Sequence, residues 1–357
     1  MSMEDDQQHG NSTSKKQGRV IYDGPSANPK ESLHWKRLHD VENPHNFDGS
    51  NNNIIRSHDE LLHIFQRDVD SLKHKTNEQN YQILALWSCI IGYCEALSTH
   101  KDCTRRYTLF PIPLDYIRRL VDEEFIPLLN SAQDTLNNTK SEKSSNNSTT
   151  STEESVHRQT VRAVSNAIWK RAQNKNSSMQ DELHANSLYT CLCGDVDSKS
   201  LDCFGSTLLA VLGMNILGFS SSCLTLSEDH AYETHLNDTE EINGVPNRAT
   251  CEVAIPGNTK ASQSKRGKDI ATNFEQLKRG NSITPETSWL YMHGKAVICD
   301  SPGMALAAMV GNMNCDIDKQ KPDGSKPQVF SKQLYKMKRD MLWILLHDHH
   351  MKSFLSQ

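Results

Sequence analysis

The sequence predicts an α+β protein that is mainly α: an N-terminal helical bundle at 54–130, an α+β domain at 152–300, and a further helical part at 301–357. Three observations carry this. Before residue 130, apolar residues recur at helical spacing in three separate stretches. Near the middle, Cys223-Leu224-Thr225-Leu226 alternates like a strand, and the polar turn Ser227-Glu228-Asp229 leads to a second strand opened by His230. After residue 300 helical spacing returns, at 302–313 and 331–347.

Residues 1–53 are polar and aperiodic, end in Gly49-Ser50-Asn51-Asn52-Asn53, and read as a disordered extension. Order begins at Ser57, which has capping-box spacing to Glu60 ahead of Leu61, Leu62, Ile64, Phe65, Val69 and Leu72. A second helix is expected at 78–98 and a third at 114–129. Phe110-Pro111-Ile112-Pro113 makes an extended entry to the third, because proline has no N–H to donate and its predecessor avoids helical backbone. The Ser/Asn/Thr/Lys tract at 131–151 is expected to be a disordered insertion. Ser151 and Glu154 then have capping-box spacing for a helix that sets Val161, Val164, Ile168 and Trp169 on one core face. Residues 183–193 lead through Gly194-Asp195 into the loop before Cys203.

Cys203 immediately precedes an apolar helical run at 206–217, so its sulfur falls near a helix N-terminus, where the dipole favours negative charge. His230 opens a strand. A cysteine on a helix start facing a histidine on a strand is the core geometry of a papain-like or transglutaminase-like site. Such sites need a third group to orient the imidazole. The next strand, expected at 249–255, offers only Glu252, whose direction alternation leaves open. On this reading the orienting acid is missing and the imidazole is free to rotate. Farther on, 237–247 reads as an acidic loop and 260–279 as a basic one. In the latter, Lys265-Arg266-Gly267-Lys268 suits phosphate contact or nuclear import, or simply a solvated loop. Residues 288–292 and 295–298 are expected to pair as a hairpin around His293-Gly294.

A formal net charge of -5 argues against a generally basic nucleic-acid binder, leaving DNA contact local or indirect. The opening Met1-Ser2-Met3-Glu4-Asp5-Asp6 has neither the basic flank nor the apolar core of a signal peptide. The most apolar run, 83–97, carries Glu95 and is shorter than the ~20 residues a membrane span requires, so no membrane partner is expected. Ten cysteines without a secretion signal read as reduced thiols. Cys191-Leu192-Cys193 lacks a paired knuckle at zinc spacing, and His347, Asp348, His349 and His350 suit the negative end of a helix. With no Walker or Rossmann glycine pattern either, no metal and no cofactor are expected.

Several strings carry a more specific signal. Leu226-Ser227-Glu228-Asp229-His230-Ala231-Tyr232, Ser288 to Gly294, Met304 to Asp318 and the Leu-Leu-His-Asp after Ile344 resemble the menin family in order and spacing, as do Val164 to Trp169 and Tyr107 to Pro111. The resemblance covers about residues 54–357 and corresponds to the N-terminal half of that family. It implies that 152–300 is transglutaminase-like, that 301–357 is the start of a TPR-like helical domain, truncated here, and that the chain is a non-enzymatic nuclear adaptor. The implied partners are a peptide of mixed-lineage-leukaemia-type histone methyltransferases, a JunD-like transcription factor and lens-epithelium-derived growth factor. Carried over by position, one wall of the family's peptide cleft is retained as Ser227, Asp229, His230 and Ala231. Elsewhere the cleft departs from the pattern: a serine is replaced by Phe204, an aromatic by Ala308 and a cysteine by Gly311. Loss of an aromatic anchor weakens binding by on the order of 2 kcal/mol or more, some of which Phe204 can refill. The alternative reading is a cysteine acyl-transfer enzyme with Cys203 as nucleophile and His230 as base.

Overall fold

Ser57 caps the first helix as its spacing predicts. Its Oγ accepts the Glu60 N–H at 3.1 Å, while the Glu60 carboxylate reaches back to the Arg56 N–H at 2.7 Å. The structure is a computed structural model and describes residues 54–99, 108–143, 156–172, 186–193, 201–227, 230–242, 245–255, 257, 259–268, 296–315 and 329–347. The expected disorder at 1–53 and the cap at Ser151 lie outside those residues.

The N-terminal part comprises β1 (Ile54–Ile55), α1 (His58–Ser71), α2 (Asn77–Thr99), β2 (Ile112–Pro113) and α3 (Leu114–Arg119). A π-helical turn (Leu120–Phe125) then runs into α4 (Ile126–Lys143). β1 pairs antiparallel with β2, so the proline-rich entry to α3 is extended, as expected. α2 is apolar nearly all round and is buried accordingly, with Trp87, Ile90, Tyr93 and Cys94 fully covered. Phe65 meets the Trp87 ring edge-on at 4.7 Å, and the indole N–H donates to buried Asp68 at 3.1 Å. The reading of 131–151 as a disordered insertion is corrected over its first part. Helix α4 continues to Lys143, because Ala132 extends the buried face begun by Leu129 and each further residue adds a backbone hydrogen bond at small cost. Residues 144–151 lie outside the described set.

Next come α5 (Val156–Ala172), α6 (Leu188–Cys193) and α7 (Cys203–Ile216). Val161, Val164, Ile168 and Trp169 form the buried face of α5 that the sequence predicts. A four-stranded antiparallel sheet has the order β5 (Val245–Cys251), β4 (Ala231–Ile242), β3 (Cys223–Leu226), β6 (Val297–Cys299). The expected acidic loop at 237–247 is corrected: β4 and β5 extend through most of it as a long hairpin. The expected strand at 249–255 stops at Cys251. The hairpin expected around His293-Gly294 falls largely on residues that are not described, and its second arm appears as β6, paired with β3. Within 260–279 a short helix, α8 (Lys260–Lys265), replaces the start of the expected loop. Two helices close the described chain, α9 (Pro302–Gly311), capped by Ser301, and α10 (Val329–His347).

One apolar core runs from Ile55 on β1 to Leu345 on α10. α2 lies at its centre, packed by α6, α7, α9 and α10, while α7 also covers β3 and β4. The architecture is thus helical with small sheets, the mainly-α α+β class expected. No helix among the described residues is long and apolar enough to cross a membrane.

Candidate functional site

Asp202 caps α7, its carboxylate accepting the Gly205 N–H at 2.6 Å, and so places Cys203 as the first helical residue. Thr207, one turn on, donates its hydroxyl to the Ala231 carbonyl at 2.9 Å and fastens the start of α7 to the start of β4. The β3–β4 turn is closed by Ser227, whose N–H and Oγ both donate to the His230 carbonyl, at 2.8 and 2.9 Å. These constraints set Cys203 close enough to His230 for the thiol to raise the imidazole's pKa. The sequence-predicted pair therefore meets in one place.

The orienting acid judged missing is present, and it is Glu252. Its Oε2 lies 3.0 Å from His230 Nε2. Glu252 lies one residue past the end of β5, so strand alternation does not govern its direction. Its backbone N–H donates to the Lys268 carbonyl and its carbonyl accepts from Gly267, both at 2.8 Å. The other carboxylate oxygen takes the N–H groups of Val253 and Ala254 at 2.9 and 2.8 Å. The side chain is 1% exposed. The imidazole is accordingly held rather than free to rotate.

The segment carrying Glu252 is clamped from behind by one edge of α5. Arg158 donates to the carbonyls of Thr250 (3.0 Å) and Gly267 (3.2 Å), Arg162 to that of Arg266 (2.9 Å), and the Trp169 indole to that of Val253 (3.1 Å). Gly267 is needed here, because its φ of +76° and the Arg158 carbonyl 2.6 Å from where a Cβ would stand exclude a side chain. The reading of Lys265 to Lys268 as an accessible basic stretch is corrected for Arg266, which is fully buried. Its guanidinium donates to the carbonyls of Ile255 and Gly257 and to Asn166, and lies 5.1 Å over the Trp169 ring. An arginine so enclosed is unavailable to phosphate or to an import receptor. Burial lowers its pKa to about 10.

Burial alone would favour neutral His230, but the hydrogen bonds to Cys203 and Glu252 outweigh it and raise its pKa to about 10. Burial likewise opposes the Glu252 charge, yet the imidazole and the two backbone N–H groups hold its pKa below the ordinary value. His230 and Glu252 are thus an imidazolium and a carboxylate at neutral pH, the arrangement that steers a histidine beside a nucleophile.

The remaining candidate residues are distributed less simply. Ala231 is buried at the head of β4, and Phe204 is buried next to Cys203. Ser227 and His230 are partly exposed beside them, whereas Asp229 lies outside the described residues. Ala308 and Gly311 sit on α9, whose main packing partners are α2, α10 and β6. Ala308 is half-buried there, and a Cβ built on Gly311 would meet nothing within 4 Å.

The menin family profile matches residues 53–355, nearly the whole of the chain outside the N-terminal extension. The chain belongs to the menin family. Its fold is also similar to that of a solved structure described as "Crystal structure of menin reveals the binding site for Mixed Lineage Leukemia (MLL) protein", with a TM-score of 0.55 and 23% sequence identity over 85% of this chain. The match covers 55% of that menin chain, so this menin-family chain spans about half its length. No curated protein matches the sequence.

Proposed function

We propose that this chain is a menin-type scaffold that works in the nucleus, holding short peptides of chromatin regulators and transcription factors. The observation that carries the proposal is the family match over residues 53–355. A similar fold is described as carrying the binding site for the Mixed Lineage Leukemia protein, which makes a methyltransferase peptide of that type the first partner to test. JunD-like factors and lens-epithelium-derived growth factor follow from the family resemblance. The peptide docks against Ser227, Asp229, His230 and Ala231, with Asp229 pairing a basic or backbone donor. Because Ser227 spends its hydroxyl on the His230 carbonyl, this reading assigns discrimination at the wall to the charge of Asp229. The test is fluorescence anisotropy with a labelled mixed-lineage-leukaemia-type peptide. Asp229→Ala is expected to weaken binding while leaving the melting temperature nearly unchanged, and equal affinity of parent and variant would remove this wall from the site.

A second reading, cysteine acyl transfer, is favoured by the seating of His230 between Cys203 and buried Glu252. In it the thiolate sulfur attacks an acyl carbon, and the departing amine takes its proton from the His230 imidazolium. A second nucleophile then releases the acyl group from sulfur. Mass-spectrometric alkylation across a pH series separates the readings. On this reading Cys203 is the fastest of the ten cysteines to label near neutral pH, and His230→Ala slows it. Labelling of Cys203 at the rate of the other accessible thiols, unchanged by His230→Ala, would leave the scaffold reading alone.

A further inference from the structure

A second cluster lies on the same sheet, at residues to which the scaffold reading gives no role. Glu233 and His235 are two apart on β4 and therefore project from one face, and His157 reaches them from the first turn of α5. His157 Nε2 is 2.8 Å from one Glu233 carboxylate oxygen, and His235 Nδ1 is 3.1 Å from the other. The three donor atoms all lie within 4.8 Å of one another. The side chains are 12%, 0% and 6% exposed for His157, Glu233 and His235. The imidazoles stack, with centroids 3.7 Å apart and planes at 20°.

We propose that His157, Glu233 and His235 form a binding site for one divalent transition-metal ion. Two imidazole nitrogens and one carboxylate oxygen are a donor set for zinc and its neighbours rather than for calcium or magnesium, which take oxygen. The two rings face different oxygens of Glu233, at 2.8 and 3.1 Å, so one ion is held either by both carboxylate oxygens or by one of them after a small turn of the carboxylate, among donor atoms that already lie within 4.8 Å of one another. The supporting contacts are in place as well. Ser222 Oγ donates to the His157-facing oxygen of Glu233 at 2.8 Å, fixing the carboxylate, and Phe219 meets the His157 ring edge-on at 5.4 Å. β4 is paired on both sides, so two of the three ligands stand on a rigid element. Three protein ligands leave a fourth position open, on the side where His157 retains some exposure.

The site is independent of the peptide wall and of Cys203, and its test reads metal directly. The full chain, stripped with chelator and dialysed, is titrated with Co²⁺ while visible absorption is followed, and Zn²⁺ content is measured after gel filtration. The expected result is one tightly bound ion per chain with tetrahedral cobalt bands that Zn²⁺ abolishes. Glu233→Gln is expected to remove the bands. His157→Gln, at the more accessible ligand and so least harmful to folding, is expected to weaken affinity at least tenfold while circular dichroism stays that of the parent. Absence of bound ion in the parent, or bands and zinc content that persist unchanged in a folded His157→Gln chain, would overturn the site and leave a hydrogen-bonded cluster in its place.

Discussion

Replacing Glu252 by Gln isolates the contact that holds His230. Glutamine keeps an acceptor oxygen for the Val253 and Ala254 N–H groups, which Glu252 engages at 2.9 and 2.8 Å, so the local backbone has no reason to move. What disappears is the negative charge 3.0 Å from His230 Nε2. A hydrogen bond to a charged group contributes about 1.5–3 kcal/mol. At 1.36 kcal/mol per pKa unit, the His230 pKa, now raised to about 10, is expected to fall by about 1–2 units. The assay is a pH titration of the His230 Cε1–H resonance by two-dimensional NMR in parent and variant. An identical midpoint in both, or a parent midpoint near the ordinary 6.5, would refute the reasoning. The same pair fixes a stability window. The His230 contribution is complete below 6.5 and is lost as pH rises through about 10. Glu252, held below its ordinary 4.5, contributes in full above that value and loses its share as pH falls through the lowered one. The gap in unfolding free energy between parent and Glu252→Gln is therefore expected to be widest between pH 4.5 and 6.5 and to narrow as pH rises.

Arg266→Met strips the donors from the Ile255 and Gly257 carbonyls and is expected to cost about 2–4 kcal/mol in urea unfolding; a loss below 0.5 kcal/mol would contradict the burial described. Gly92→Ala would set a Cβ 2.0 Å from Ser187 Oγ and 2.6 Å from its Cβ, forcing α2 and α6 apart, and is expected to destabilise by about 1–3 kcal/mol. Gly311→Ala, by contrast, meets open space at the end of α9, and its unfolding free energy is expected to match or exceed that of the parent, by up to about 1 kcal/mol.

What the sequence made legible is what local chemistry decides. The Ser57 cap, the Val161-Val164-Ile168-Trp169 face and the β3–β4 turn each depend on residues within a few positions of one another, and all three formed as their spacing predicts. Cys203 and His230 were readable because one begins a helix and the other precedes a strand. Glu252 was not, because its aim is set by contacts with residues 267 and 268 and by α5, far along the chain. Arg266 misled for a related reason: a run of basic residues ordinarily faces water, and only the turned carbonyls of Ile255 and Gly257 make an interior place for one of them. At 131–143 polar composition suggested a loop, yet Leu129 and Ala132 on one face of α4 were enough to keep the helix going. The His157, Glu233 and His235 cluster left only a Glu-x-His pair in the sequence, which has no meaning until α5 is laid against β4.

The long-range fastening of α1 and α10 bears on how this chain reaches its native state. His58 bonds Asp340 at 2.9 Å across 282 positions, the Leu109 N–H finds Gln333 224 positions away, and the Asn314 N–H finds Glu95 219 positions back. Closing such loops costs entropy before any contact repays it, and chains whose contacts are this distant in sequence fold slowly. During synthesis α2 leaves the ribosome before α6, α7, α9 and α10, the later helices packed against it, the last of which arrives some 250 residues on. The interval leaves the apolar middle of α2 without its later covering helices, the condition under which partly folded chains are prone to aggregate.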